Sequence, residues 1–570
     1  MYHLAKIVKY FQLSCHILAK KTKTTCKTRF ASRFICFSTQ FMKISSSSIG
    51  RKKILTLGKK KRMDSLFCSR LFVILQIYWN SELFLDTDKV KEYHVWPLSM
   101  EHSLDRRPAK KDDNNFIYMI NITCPNDNLP ERTYAIDMLL HHLLGIEKTS
   151  YQINFEEDAH DYTIAIGNKR IVFEDHFFKL HKEPLSYLNS SNIPDKLTYF
   201  HGEGMEIPII YGTDKMQRES NGDVVVGLDI FASTFFMLTR WEENLLGREE
   251  TGDCKEQLLF TVKNGIHKRA IVNEYEVLLK KLLAGEGITY KSRNFGIVLT
   301  HDVDGLTPSW LDIAKDFVRR VMRRPVPEAT TSLVWKEFMK YKRTYPDAFS
   351  QMVPYIKICK KFGIPEIFYM KVCDKGELEA TYIHDSASTL DVIRRLKDLE
   401  SDKVLIGFHP SQSTFQNKAQ WTAETERFHA QLGKDIVHGR NHHLMYNNET
   451  LCFWESILAG SEEDTLHISN CVFHNTLGLR SGIAVPYPLF DVVHRKEMRL
   501  TEHPCSIMDT AIRLHKYKTD AELWKDIDEI TGELKKYQGE LLLTWHIYVR
   551  NVSLLRRYMD LCEKIIEKAS

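Results

Sequence analysis

The 570-residue sequence lacks the cysteine patterns that identify small metal-binding or disulfide-stapled domains. Its twelve cysteines include no C-x-x-C pair and no regular spacing, which argues against a zinc ribbon and against a disulfide framework. Cys359, Cys373, Cys471 and Cys562 lie in apolar runs, where a free thiol acts as a small hydrophobic side chain. This usage favours a reducing compartment, and we expect the protein to be cytoplasmic.

Acidic residues are missing from the start of the chain. Residues 1–63 contain sixteen lysines and arginines but no aspartate or glutamate, so the net charge of +5 hides a remainder of −11. Residues 1–113 also show no long periodic segment, and the sequence predicts a disordered basic leader there. A start codon placed too far upstream and an organelle transit peptide are the alternatives.

A long uninterrupted apolar run is also absent. The stretch Leu66–Leu85 contains Arg70, Asn80 and Glu82, which makes it a poor membrane span, and none is expected. The basic leader lacks interleaved aromatic residues and any nucleic-acid-binding motif, so no specific nucleic-acid partner is expected. The oligomeric state is left open.

A smaller α/β domain is predicted over residues 114–288. "FIYMINITCP" is typical of a strand, "DYTIAIG" and "RIVFED" of a hairpin, and "DIFASTFFMLTRWEE" of a buried helix. The Glu242-Glu243 pair at the end of that helix is interpreted as helix surface. No nucleophile–base pair, phosphate loop or metal cluster is recognisable in these residues. We therefore expect an accessory domain that supports or recognises something rather than catalysing.

Strands and helices alternate over residues 289–570. The predicted strands are "FGIVLT", "EIFYMKV", "VLIGFHP", "DIVHGR", "NCVFHN" and "LLLTWH". Strands separated by helices at this spacing indicate a parallel sheet with right-handed crossovers, either open or closed into a barrel. In such folds the chemistry lies at the C-terminal ends of the strands.

Polar side chains follow four of these strands. The residues are His301, Asp302 and Asp304; His409; His438, Arg440, His442 and His443; and His546. Taken alone, either aspartate is equally suited to cap the next helix, and a single histidine more often makes a structural hydrogen bond. Together, aspartate and histidine suit Zn²⁺ or a similar divalent ion, and a further histidine can serve as a general acid.

The motifs "LTHDVDG", "GFHPSQS", "GRNHHL", "PCSIMDT" and "LTWH" occur in the order found in polysaccharide deacetylases, carbohydrate esterase family 4. The chain resembles a bacterial branch of that family whose N-terminal domain of unknown function is similar to residues 116–285. The resemblance implies an α/β fold with a distorted or incomplete deacetylase-type (β/α) barrel over residues 289–570. It also implies a hydrolase of carbon–nitrogen bonds other than peptide bonds, which removes acetyl groups from an N-acetylated glycan or glycoconjugate.

The resemblance also implies roles for individual residues. Asp302 would be the general base, oriented by Arg440, and His546 the general acid, oriented by Asp509. Asp304 and His409 would be metal ligands, with zinc the expected ion.

The sequence departs from the family pattern at Ser413, where a second histidine usually follows the first by four residues. The third ligand is then expected to be His442, with Ser413 or water as alternatives. Losing a ligand could also leave a catalytically inactive carbohydrate- or envelope-binding module. Arg480 and Trp545 are the expected substrate-binding residues, with bracing of a loop as the alternative role of Arg480.

Overall fold

The computed structural model describes residues 119–246, 255–306, 310–323, 331–373, 387–459, 464–515, 517–547 and 552–570. The predicted leader, residues 1–113, lies outside these ranges. Of the described residues, 319–343 belong to one compact unit and the remainder to a second unit, which contains all the strands. Within the described ranges, no helix has both the length and the apolar character needed to cross a bilayer.

The first part of the chain forms a six-stranded mixed sheet and a separate two-stranded sheet. The strands are β1 (Ile120–Pro125), β2 (Tyr151–Glu156), β3 (Tyr162–Ile166), β4 (Lys169–Phe173), β5 (Thr198–Gly202), β6 (Met205–Ile209), β7 (Gly212–Arg218) and β8 (Val224–Leu228). Their order is β2-β1-β3-β4-β8-β7, with β5 paired to β6. Strands β3 and β4 are antiparallel, which confirms the predicted hairpin. Gly167 takes a positive φ of 57° in its tight turn, where a side chain would be strained.

Five helices accompany these strands. They are α1 (Leu129–Asp137), which continues as a π-helical segment over Met138–Leu143, α2 (Ile230–Thr239), α3 (Glu242–Leu245), α4 (Phe260–Lys263) and α5 (Ile271–Leu282). Helix α2 begins where the Asp229 carboxylate accepts a hydrogen bond from the Ala232 amide at 3.0 Å. Nine of its ten residues are buried, which confirms the predicted buried helix.

A nine-stranded sheet occupies the rest of the chain. Its strands are β9 (Gly296–Val303), β10 (Glu366–Met370), β11 (Val404–Phe408), β12 (His438–Gly439), β13 (Leu466–Ile468), β14 (Tyr487–Asp491), β15 (Lys496–Glu502), β16 (Cys505–Met508) and β17 (Glu540–Thr544). The order is β14-β15-β13-β12-β11-β10-β9-β17-β16. All described pairs are parallel except β14 with β15. Because β14 and β16 are its edges, the sheet is an open half-barrel, in keeping with the expected incomplete barrel.

Helices lie between the parallel strands in the chain, and one more follows the last strand. They are α6 (Trp310–Arg323), α7 (Thr331–Arg343), α8 (Ala348–Phe362), α9 (Ala387–Lys397), α10 (Lys418–Leu432), α11 (Asn448–Ile457), α12 (Asp509–His515), α13 (Asp520–Lys536) and α14 (Val552–Ala569). Polar caps set several boundaries: Asp347 accepts from the Ser350 amide at the start of α8, and Asn417 caps α10 in the same way. One core of buried apolar side chains extends through both large sheets.

Five of the six strands predicted for this half are present, and "NCVFHN" is not one of them. Strand β13 ends at Ile468, immediately before that segment. Its amides do not form a ladder there: the Cys471 amide donates to the Glu502 carboxylate at 2.7 Å, while the Cys471 carbonyl accepts from the Cys505 amide of β16 at 3.1 Å. The prediction was wrong because an apolar run does not reveal whether its amides find strand or side-chain partners. The residue ranges predicted for the two domains stay a prediction.

Candidate active site and metal centre

Strand β9 places two aspartates at the C-terminal edge of the half-barrel. Asp302 is its penultimate residue, and Asp304 follows one residue after its end. Side chains alternate along a strand, so Thr300 and Asp302 share one face while His301 lies on the other. His301 is fully buried and donates from Nδ1 to the Trp545 carbonyl at 2.9 Å. One face of β9 therefore carries the structural residue His301, and the other face carries the carboxylates.

Arg440, just after β12, holds Asp302 in place. It is fully buried, and its Nη1 donates to Asp302 Oδ1 at 2.8 Å and to Thr300 Oγ1 at 3.0 Å. Its Nε and Nη2 donate to the Ser469 carbonyl and hydroxyl at 2.7 and 2.8 Å. Burial alone would raise the pKa of Asp302, but Arg440, His409 and His546 outweigh it and lower that pKa below the ordinary value. Asp302 is therefore an oriented carboxylate at neutral pH.

A histidine–aspartate pair faces the other oxygen of Asp302. His546 follows β17, and its Nδ1 lies 2.7 Å from Oδ1 of Asp509, the first residue of α12. The second oxygen of Asp509 accepts from the His546 amide at 3.1 Å. His546 Nε2 then lies 3.7 Å from Asp302 Oδ2. Burial would lower the pKa of His546, but the carboxylates of Asp509, Asp302 and Asp304 raise it to about 9. The ring is thus a cation near neutral pH and a potential proton donor.

Asp304, His409 and His442 form a group whose ligand atoms all lie within 4.8 Å of one another. Asp304 Oδ1 is 3.5 Å from His409 Nε2 and 3.3 Å from His442 Nε2. His409 Nδ1 donates to the Arg440 carbonyl at 2.7 Å, which leaves Nε2 of a neutral ring with a free lone pair. That Nε2 and Asp304 Oδ1 are buried and have no hydrogen-bond partner among the described residues. The donor set and its two unsatisfied atoms fit a divalent ion such as Zn²⁺.

Ser413 is the alternative third ligand. Its side chain is exposed, and its hydroxyl accepts from the Ser411 hydroxyl at 3.2 Å. The structure brings His442 together with Asp304 and His409. Their role as metal ligands stays a prediction.

Lys371 lies beside the three-residue group, and the sequence analysis did not single it out. It is fully buried after β10, and its Nζ is 3.2 Å from His442 Nδ1. Nζ is also 3.5 Å from His442 Nε2, the nitrogen that faces Asp304, so the amine lies against both nitrogens of the ring. Coordination through Nε2 therefore requires Lys371 to lose its proton or to move. The sequence did contain a signal for Lys371, because the predicted strand "EIFYMKV" carries this charged residue near its C-terminal end.

Comparisons with known proteins give weak matches. Residues 120–287 match a family of unknown function, DUF7033. A "putative polysaccharide deacetylase" of O-antigen biosynthesis from Bordetella bronchiseptica is 14% identical, with a TM-score of 0.24, over 48% of this chain and 81% of that one. A second "putative polysaccharide deacetylase", from Mycobacterium smegmatis, is 13% identical, with a TM-score of 0.28, over 50% of this chain and 92% of that one. No curated protein matches this chain.

The contacts of Arg480 are those of a residue that braces a loop. Its Nε and Nη2 bond the two oxygens of Glu243 at 2.8 Å each, and its Nη1 donates to the Val472 carbonyl at 2.6 Å. The side chain is only 5% exposed. These contacts are those of the alternative role, and substrate binding by Arg480 stays a prediction.

Trp545 was the other residue expected to bind substrate. Trp545 is fully buried and donates from its ring nitrogen to the Tyr558 carbonyl at 2.8 Å, so its ring offers no surface to a sugar.

Glu242 and Glu243 are not helix surface: Glu242 is buried and accepts from the Phe260 amide, while Glu243 binds Arg480. The interpretation of this pair was wrong because its partners are distant in sequence.

Proposed function

We propose that this protein is a metal-dependent hydrolase that cleaves the amide C–N bond of an N-acetylated sugar. The observation that carries the proposal is the position of Asp302. One of its oxygens is fixed by Arg440, and the other faces His546 at 3.7 Å. His409, one of the residues that could hold a metal, lies 3.5 Å from Asp304, two residues after Asp302. The proposed base Asp302, the proposed acid His546 and the proposed metal ligands thus lie together at the C-terminal edge of the half-barrel.

Each group has a separate chemical task in this proposal. A divalent ion held by Asp304, His409 and His442 would polarise the amide carbonyl and make an attacking water more acidic. Asp302 accepts the proton of that water, and Arg440 keeps its carboxylate directed at it. His546 donates a proton to the departing nitrogen, so that the amine leaves as a neutral group. Asp509 holds the ring of His546 and favours its protonated form.

The proposed substrate class comes from the five ordered motifs, which resemble those of polysaccharide deacetylases. The site itself supports hydrolysis of an acyl bond, and the motifs supply the N-acetylated sugar. Zinc is the proposed ion because a carboxylate and two imidazoles are ligands that it accepts in catalytic sites.

A second candidate function is a catalytically inactive carbohydrate- or envelope-binding module. The contact between Lys371 and His442 favours it, since a buried ammonium beside the third ligand opposes a divalent ion. In that case the cation of Lys371 would stabilise Asp304 in place of a metal.

Metal content and acetate release distinguish the two candidates. We would measure bound zinc in the purified full chain and acetate released from N-acetylglucosamine oligomers. The enzyme predicts stoichiometric zinc, acetate release that a chelator abolishes, and no effect of Ser413→Ala, which changes an exposed side chain in the same loop as His409. Sugar binding without zinc or acetate release would favour the inactive module.

A further inference from the structure

A second group of metal-binding side chains lies outside the proposed active site. Cys452 belongs to α11, Asp491 ends β14, and His494 lies in the turn between β14 and β15. Their ligand atoms all lie within 4.8 Å of one another. The Cys452 Sγ is 3.4 Å from Asp491 Oδ2, and the His494 Nδ1 is 2.7 Å from the same oxygen. A thiol and an imidazole thus converge on one carboxylate oxygen.

The other oxygen of Asp491 is already fully engaged. Oδ1 accepts from Asn448 Nδ2 at 2.8 Å and from the amides of Val493 and His494 at 3.0 and 2.9 Å. The side chain of Asp491 is completely buried. These bonds fix the carboxylate before any ligand binds, with Oδ2 directed at the thiol and the imidazole. A site that is oriented in advance loses little entropy when an ion binds.

The chemistry of the three groups selects the class of ion. One sulfur, one imidazole nitrogen and one carboxylate oxygen suit zinc, whereas magnesium and calcium prefer oxygen ligands alone. A thiolate and a carboxylate would neutralise the two charges of the ion. The side chain of His494 is 63% exposed, so solvent can reach the group and water can supply a fourth ligand. Zinc would replace the proton of the thiol, while the neutral ring of His494 would carry its proton on Nε2 and bind through Nδ1.

We propose that Cys452, Asp491 and His494 form a structural zinc site that joins α11 to the β14–β15 turn. Two of the ligands are on the hairpin and one is on a helix more than thirty residues earlier in the chain, so the ion would cross-link two elements. This site is independent of the proposed catalytic function. In the absence of an ion, burial and the neighbouring Asp491 raise the pKa of the Cys452 thiol to about 11, which keeps it protonated.

Cobalt substitution of the full chain tests the proposal directly, because a cobalt–thiolate bond gives a near-ultraviolet charge-transfer band. The proposed active-site group contains no sulfur and cannot give this band. We expect the wild type to show it, Cys452→Ser and His494→Ala to lose it, and Asp304→Asn to keep it. Cys452→Ser should also bind about one equivalent of zinc less than the wild type.

Circular dichroism of each variant before metal is added shows whether the chain has kept its fold. Asn448→Ala provides a second route that leaves all three ligands in place. Removing this support of Asp491 should weaken zinc binding at the site by about 10- to 100-fold. A wild-type protein without the thiolate band, or a band that persists in Cys452→Ser, would overturn the proposal whatever the activity of the protein proves to be.

Discussion

Replacing Arg440 with methionine should destabilise the protein strongly because it removes the cation that is hydrogen-bonded to the buried Asp302 carboxylate. The Arg440 side chain is fully buried, and it makes four hydrogen bonds, to Asp302, Thr300 and the carbonyl and hydroxyl of Ser469. The Ser469 hydroxyl keeps a partner, since it also donates to the His503 carbonyl. Removing one partner of a buried ion pair costs about 3–5 kcal/mol in free energy of unfolding.

The double variant separates charge from packing. Asp302→Asn removes the charge that Arg440→Met leaves unpaired, so the double variant should be more stable than Arg440→Met alone. We expect a coupling of about 1–3 kcal/mol, as found for residues in direct contact. Arg394→Met is the matched control, because its ion pair with Asp391 is exposed and worth about 0–1 kcal/mol.

The assay is equilibrium unfolding in urea, followed by the fluorescence of the buried tryptophans and by circular dichroism. A loss below about 1 kcal/mol in Arg440→Met, similar to that of the exposed control, would refute the reasoning. So would a double variant that is less stable than Arg440→Met, since the buried charge would then not be the cause.

Three further predictions concern pH and the leader. The rate of acetate release should fall at alkaline pH, where His546 loses its proton, and Asp509→Asn should move this limb to lower pH because Asp509 raises the pKa of His546; an unmoved limb would exclude His546 as the acid. Burial and the neighbouring His467 and His503 lower the pKa of His438 to about 3. A histidine in the unfolded chain has a pKa of ~6.5. The part of the free energy of unfolding that depends on neutral His438 is therefore fully present above that pH, and it is lost as the pH falls towards 3. Thermal unfolding of His438→Gln should therefore be less sensitive to acid than that of the wild type. A protein that begins near Met100 should keep the thermal midpoint of the full chain, and a drop of many degrees would show that the leader belongs to a core.

The sequence alone could place the main residues of the candidate site because of one geometric rule. In consecutive parallel strands the C-terminal ends share an edge, so side chains that follow those strands meet there. Asp302, Asp304, His409, Arg440 and His546 each follow an apolar strand and lie together in the structure. The same rule would have included Lys371, which was passed over because no family motif contains it.

Contacts between distant side chains could not be predicted in this way. The pairing of Glu243 with Arg480 joins residues 237 positions apart, and neither residue shows a pattern that identifies its partner. The ring nitrogen of Trp545 donates to the Tyr558 carbonyl of α14, which the sequence pattern does not indicate. Periodicity indicates which face of an element is buried, but it does not show which polar groups are satisfied there.

The central claim is that Asp302 acts as the base beside a metal ion held by Asp304, His409 and His442. The most direct test measures zinc affinity and acetate release together in Asp302→Asn, Asp304→Asn, His409→Ala and His442→Ala. We predict that Asp302→Asn binds zinc as tightly as the wild type but releases no acetate, because its amide keeps the shape of the carboxylate and cannot accept the proton. The other three variants should lose zinc and acetate release together. Acetate release by Asp302→Asn at the wild-type rate, or unchanged zinc affinity in all three ligand variants, would contradict the account.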